Sequence, residues 1–157
     1  IARALALKPR IVLLDEPVSA LDVSVRAQVL NLLMDLQKEF QLTYLIVAHD
    51  LAILERICDR IAVMFLGQIM EITNSQTLFS EPFHPYTRAL LSAIPIPNPR
   101  LQSKREILQG EVPDPAKSPT GCKFSGRCPL TEKVCFEEEP ELRQIKENHF
   151  VRCHLIK

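Results

Sequence analysis

The sequence predicts an α/β fold: a mostly parallel sheet with helices on its faces over residues 1–73, then a small irregular Cys-bearing extension over residues 74–157. Three observations lead there. Helical and strand patterns alternate up to about residue 73, the arrangement that yields parallel strands with helices packed against them. Beyond Asn74 the texture changes, and six of the twelve prolines fall between Pro95 and Pro119. Four of the five cysteines then cluster between residues 122 and 153.

The elements follow in order. Ile1-Ala2-Arg3-Ala4-Leu5-Ala6-Leu7 reads as a helix already in progress, with no initiator Met or capping residue ahead of it, so a fragment of a longer chain is expected. Pro9 closes that helix. Ile11–Leu14 is a short, wholly apolar run, as a buried parallel strand requires. Val25, Val29, Leu32, Leu33, Leu36 and Phe40 recur at spacings of three and four, which predicts a helix over about Val25–Phe40 with that stripe toward the core. Thr43–Ala48 is a second buried strand, and Asp50 stands where an N-cap would start a short helix through Ile57. Ile61–Leu66 and Gln68–Thr73, split by Gly67, predict a hairpin. A short helix near Ser75–Ser80 is expected next, then another from His84-Pro85-Tyr86 with proline in its first turn. His84 reads simply as the residue that opens this helix, and Cys58 as a small core residue. The acidic run Glu137–Glu139 suits a helix start, where negative charge meets the dipole favourably.

Composition excludes some functions. With 157 residues, 46% of them hydrophobic, one core is affordable, and a small second unit would need a staple other than packing. Nineteen basic and nineteen acidic residues cancel, so no global field concentrates nucleic acid, which is disfavoured as a partner. No apolar run approaches the roughly 20 residues of a spanning helix, and the N-terminus lacks a signal-peptide layout. A cytosolic setting is expected, in which clustered cysteines argue for metal more than for disulfides.

The chemistry-bearing feature is Asp15-Glu16 at the end of Ile11–Leu14. A carboxylate at the C-terminal tip of a parallel strand faces the crevice where α/β sheets bind ligands. Asp15 is placed to reach Mg²⁺, which keeps much of its water and takes only one or two carboxylates. Glu16 would point toward a terminal phosphate and polarise an attacking water. Taken alone, the same residues also read as an ordinary solvated strand end. Two companions favour the chemistry: Ser19-Ala20-Leu21-Asp22 follows after a short loop, and the second strand ends in Ala48-His49-Asp50, which brings His49 to the same sheet edge.

Together these words resemble the ATP-binding-cassette ATPases. Ile11–Glu16 is similar to their Walker B strand with its glutamate, Ser19–Asp22 to the D-loop, and His49 to the switch histidine. The resemblance implies that Asp15 organises Mg-ATP, that Glu16 is the general base and that His49 contacts the γ-phosphate. It also implies that Asp22 and its loop reach across to a second ATPase subunit, homologous or identical. A P-loop, Gly-x-x-x-x-Gly-Lys-Ser/Thr, is needed to cradle the phosphates, and no segment fits it. Gly121-Cys122-Lys123-Phe124-Ser125-Gly126-Arg127-Cys128 is the nearest string and reads as coincidence. The resemblance therefore covers the C-terminal half of a nucleotide domain, and this chain alone is expected neither to bind ATP tightly nor to hydrolyse it.

Cys122, Cys128, Cys135 and Cys153 are separated by five, six and seventeen residues, wider than common zinc knuckles. Four thiolates suit a tetrahedral zinc site or an iron–sulfur cluster, and His149 or His154 could replace one of them on zinc. Buried free thiols and disulfides remain alternatives. His84-Pro85-Tyr86-Thr87-Arg88-Ala89-Leu90-Leu91, followed by Gly110-Glu111-Val112-Pro113 and the cysteine tail, is similar to the C-terminal extension of dipeptide and oligopeptide importer ATPases. That narrower resemblance implies a four-iron, four-sulfur (4Fe-4S) cluster over zinc. It also implies membrane permease subunits and a peripheral position on the inner face of the cell membrane. A metal-binding regulatory or assembly module is the second function class. The cassette ATPases of DNA repair form a third, against which the neutral charge counts.

Overall fold

The computed structural model describes residues 1–94, 106, 108, 110 and 119–156. Most of the proline-rich stretch from Pro95, with Glu111-Val112-Pro113, lies outside the described residues. Contacts within the chain divide it into two units, Ile1–Ile57 and Cys58–Lys157. The division thus falls at the start of the expected hairpin, whereas the sequence changes character after residue 73. No helix among the described residues is long and apolar enough to cross a membrane.

In the first unit, α1 (Ala2–Leu5) leads to β1 (Ile11–Asp15), α2 (Val23–Phe40), β2 (Thr43–Val47) and α3 (Leu51–Ile57). β1 and β2 pair in parallel, Ile11 opposite Thr43 and Asp15 opposite Val47, with α2 as the crossover. α2 starts where Asp22 accepts hydrogen bonds from the amides of Ser24 (3.1 Å) and Val25 (2.9 Å). It ends at Gln41, whose left-handed backbone (φ 53°) breaks the helix. The expected core stripe is only partly inside: Leu33 is buried, but Val25, Leu32 and Phe40 are exposed. The covered side takes in Val29, Leu33 and Leu36 of that stripe but widens away from Val25, Leu32 and Phe40 to include Arg26, Leu30, Met34 and Gln37. Spacings of three and four leave the centre of an apolar band uncertain by one position to either side, and the side that meets the sheet is the one that is covered. Tyr44 of β2 fixes that meeting by donating to the carbonyl of Leu33 at 3.0 Å. Nor are the two strands buried on both faces, since Ile11, Leu13, Leu45 and Val47 are 50–67% exposed.

The second unit corrects the sheet expectation. β3 (Arg60–Phe65), β4 (Gln68–Asn74), β5 (Leu142–Lys146) and β6 (His149–Arg152) form a four-stranded sheet in the order β3-β4-β6-β5. All its pairings are antiparallel, so the described chain is mixed α/β and not mostly parallel. The cause is local. A turn of only Leu66 and Gly67, both at positive φ (45° and 75°), reverses the chain between β3 and β4 and forces antiparallel pairing. The other edge of β4 is then taken by β6, a strand from the cysteine tail. The tail is therefore partly regular.

Helices α4 (Ser75–Ser80), α5 (Pro85–Ser92) and α6 (Lys133–Glu137), with a 3₁₀ turn at Ser125–Arg127, are the other elements among the described residues of this unit. His84 caps α5, its Nδ1 accepting from the amide of Tyr86 at 3.1 Å, and Pro85 opens the first turn. The acidic run does not begin a helix: α6 ends at Glu137, so Glu137–Glu139 sit at the C-terminal end, where the dipole disfavours them. Cations offset that placement, Lys133 lying 3.5 Å from Glu137 and Arg152 lying 3.4 Å from Glu139. Phe65, Met70, Cys122, Phe124 and Cys135 make the core cluster of this unit.

Candidate active site and cysteine cluster

Asp15 ends β1, and the next residue turns sharply: Glu16 has φ +45°, a left-handed conformation costing a non-glycine residue about 1–2 kcal/mol. Three hydrogen bonds hold it there. Its amide donates to Val47 at 2.8 Å, while its carbonyl accepts from the Ser19 amide (3.3 Å) and hydroxyl (3.1 Å). Strain of this kind persists where the surroundings over-determine it, and it aims the side chain off the strand end. The carboxylate meets His49, with Oε1 2.8 Å from Nδ1. Because a carboxylate only accepts, Nδ1 carries the proton in this contact. Glu16 and His49 are thus brought together from adjacent strand ends, as their positions in the sequence suggest. Their side chains are 37% and 77% exposed, so the pair is open to solvent on one side.

Beside the pair is a cleft of ≈ 30 Å³ lined by Glu16, His49, Arg26 and Asp50 among others. That is room for roughly two waters at about 10–15 Å³ each and far short of a nucleotide. Asp22 spends its carboxylate on capping α2, and the amide of Val25, then the hydroxyl of Ser24, hold its pKa below the usual range. Asp50 is committed twice: Oδ1 accepts from the Ala52 amide at 3.1 Å, capping α3, and Oδ2 lies 3.3 Å from Nη1 of Arg26. Arg26 stands out only in three dimensions. Its Nη2 also donates to the carbonyl of Leu21 at 3.2 Å, inside the loop that carries Asp22.

In the second unit Cys122, Cys128, Cys135 and Cys153 are all free thiols, three of them buried and Cys128 partly so. Burial pushes the Cys122 thiol up, with added repulsion from Cys135 and Cys153. Burial likewise pushes Cys128 up to about 11, and the charges of Cys153, Cys122 and Cys135 add to it. The four sulfurs therefore share one neighbourhood. Gly121 permits this: a Cβ there would fall 2.4 Å from the Cys135 carbonyl oxygen, and the Cys122 amide donates to that oxygen at 2.8 Å. Its role lies in a close approach of two backbones, which the sequence marks only by placing glycine beside a cysteine. Among the described residues no group of three or more His, Cys, Asp or Glu is placed to hold a metal ion. His149 and His154, possible replacements for a cysteine, are engaged elsewhere: Nε2 of His149 is 2.7 Å from Glu71, and Nε2 of His154 is 3.0 Å from the Glu138 carbonyl.

Glu71 went unmarked in the sequence, yet it is fully buried. Its Oε1 accepts from the Phe83 amide (2.8 Å) and from His149, and its Oε2 from the His84 amide (3.0 Å). Burial drives the pKa of His84 down to about 4, against the opposing pull of the Glu71 carboxylate. This network joins β4, the start of α5 and β6, and it has the character of a structural tie.

Comparison with known proteins gives the chain its relatives. Residues 70–135 match the family model described as the oligopeptide/dipeptide transporter, C-terminal region. A putative oligopeptide transport ATP-binding protein of Bacillus subtilis is 57% identical over 159 aligned residues, covering 100% of this chain and 48% of the relative. A putative peptide import ATP-binding protein of Brucella ovis is 54% identical, over 98% of this chain and 48% of the relative. An oligopeptide transport ATP-binding protein of Bacillus subtilis is 52% identical, over 99% of this chain and 48% of the relative. The chain spans about half the length of these relatives. Along nearly its whole length the chain is thus similar to proteins named as oligopeptide and peptide import ATP-binding proteins, and its residues 70–135 are similar to the C-terminal region of the oligopeptide/dipeptide transporter family.

Proposed function

We propose that the chain supplies the magnesium-and-base side of an ATP hydrolysis site in the energy-coupling subunit of a dipeptide or oligopeptide importer. The contact of 2.8 Å between Glu16 and His49, at the C-terminal edge of a parallel strand pair, carries this reading. Asp15 would hold Mg²⁺ through water, and Mg-ATP supplies the phosphoryl group whose transfer to water drives transport. Glu16 would take the proton of the attacking water, for which the adjacent cleft offers room. His49, donating from Nδ1 to Glu16, keeps Nε2 free to meet the γ-phosphate. Asp22, fixed at the start of α2, would hold the loop that faces a second ATPase subunit. Membrane permease subunits at the inner face of the cell membrane complete the proposed assembly, with peptide as cargo and no nucleic acid.

The phosphate cradle and the cover for Ile11, Leu13, Leu45 and Val47 would come from the part of the longer protein that this chain does not span. A parallel sheet is normally covered on both faces, and the relatives are about twice as long. The test has two arms. In the full-length protein, Glu16→Gln should abolish magnesium-dependent ATP hydrolysis while ATP still binds. The 157-residue chain should show neither tight ATP binding nor turnover. Turnover by the purified chain that Glu16→Gln removes would overturn the reading of half a site.

A second reading concerns the tail, where Cys122, Cys128, Cys135 and Cys153 would hold a 4Fe-4S cluster, with zinc as the alternative. Its support is that four free thiols act on one another in a buried neighbourhood. Such a group would staple an extension with a small core. Because burial raises the Cys122 and Cys128 thiols, loading would release protons and strengthen as pH rises. Anaerobic purification should give a brown protein with iron and labile sulfide, lost on Cys135→Ser. Stoichiometric zinc without colour would replace the cluster, and neither would leave a plain thiol core.

A further inference from the structure

Arg26 has no part in the chemistry assigned above, yet it touches both loops that border the reacting side chains. Its Nη2 donates to the carbonyl of Leu21, the residue before Asp22, at 3.2 Å. Its Nη1 lies 3.3 Å from Oδ2 of Asp50, the residue after His49. The side chain is 28% exposed and lines the cleft beside Glu16 and His49, with its Nε–H buried and without a hydrogen-bond partner among the described residues. One planar cation thus spans the loop that caps α2 and the loop that starts α3. Backbone geometry transmits the link: Leu21 is one residue from the α2 cap Asp22, and Asp50 is one residue from His49, which in turn holds Glu16 at 2.8 Å.

We infer that Arg26 is a positioning residue that makes the Asp22 loop and the His49 loop move as one, so that a displacement of the first sets the Glu16–His49 pair. The inference rests on the hydrolytic role proposed for Glu16. Arginine is required because its fork reaches two acceptors in fixed directions, whereas the single ammonium of lysine serves one of them as a point charge. Because the Nε–H makes no hydrogen bond among the described residues, the polar contacts of the fork there are these two.

The experiment uses the full-length protein and compares Arg26→Lys, Asp50→Asn, the double variant and Glu16→Gln, with folding checked by circular dichroism. Arg26→Lys should lower kcat for ATP hydrolysis by roughly 10- to 100-fold, as expected for loss of alignment near a reacting centre, with KM for Mg-ATP within about twofold. Asp50→Asn should do the same, and the double variant should be no worse than the poorer single one, because either substitution breaks the same bridge between the two loops. A folded Arg26→Lys protein with unchanged kcat would overturn the inference. So would a rise in KM at constant kcat, or losses that multiply in the double variant. If the Arg26 variants do not fold, Asp50→Asn decides alone on the same kcat criterion. Failure of the underlying reading is separate, since it appears as hydrolysis that survives Glu16→Gln.

Discussion

Glu71 is fully buried and serves three donors at once, the amides of Phe83 and His84 and the ring of His149. Replacing it with leucine strands all three without an acceptor. Glu71→Leu should therefore cost about 3–5 kcal/mol of stability, and Glu71→Gln less, read as urea midpoints. A loss well under that range would mean that water or rearranged side chains take over the carboxylate's bonds. His84 makes stability depend on pH. Unfolded, it takes up a proton near its ordinary value of 6.5, but folded only near about 4. Between those values the native state binds fewer protons, so its stability is full above 6.5 and declines as pH falls through the window. His84→Asn, which still caps α5, should flatten that decline in urea midpoints measured above and inside the window. An unchanged slope would assign it to another group. Glu16 and His49 were legible in the sequence because each follows an apolar strand and both strands run the same way. Arg26 and Glu71 were not, because each sits inside a helix or strand with no motif around it, and their partners Asp50 and His149, 24 and 78 residues away, are brought to them only by folding.

Among the elements, the segments bearing Cys122 and Cys135 depend on an approach that only glycine allows. Gly121→Ala sets a methyl group 2.4 Å from one backbone oxygen and 2.7 Å from the carbonyl carbon of Phe136, neither of which can swing aside. A cost of about 1–3 kcal/mol is expected, along with faster alkylation of Cys122 and Cys135 by a thiol reagent. Gly126→Ala is the control, since its added methyl meets nothing within 4 Å, and it should be near neutral. Equal behaviour of the two variants would remove Gly121 from this role. The hairpin of β3 and β4 was legible from Gly67 between two apolar runs. The sheet it joins was not, because β6 adds to β4 from far along the chain with only Glu71 opposite Val151 and Ile72 opposite Phe150 in register. Glu137–Glu139 misled for a related reason: acidic residues favour a helix start, but tertiary partners in Lys133 and Arg152 make the other end tolerable.

Across the whole molecule, burial is unequal. Met70, Leu78, Phe124 and Val151, all in the second unit, are at most 1% exposed, whereas Leu33, the least exposed apolar residue of the first unit, retains 3%. The first unit also leaves Ile11, Leu13, Leu45 and Val47 facing outward. Regions with fewer buried contacts open at lower free energy, so limited proteolysis of the 157-residue chain should cut within residues 1–57 before it cuts the described core of residues 58–94 and 119–156. Simultaneous loss of both would show them opening together. The sequence by itself determined which chemical groups are available: carboxylates and a histidine at the ends of apolar strands, four thiols in a tail, and the turn that reverses β3 into β4. Those depend on residue type and short spacing, which the chain carries wherever it folds. Tertiary structure alone decided which stripe of α2 is covered, that the larger sheet is antiparallel, and that Arg26 and Glu71 tie distant segments together. Each of these is a choice among faces or partners that local periodicity leaves equivalent, and only long-range burial and pairing break the tie.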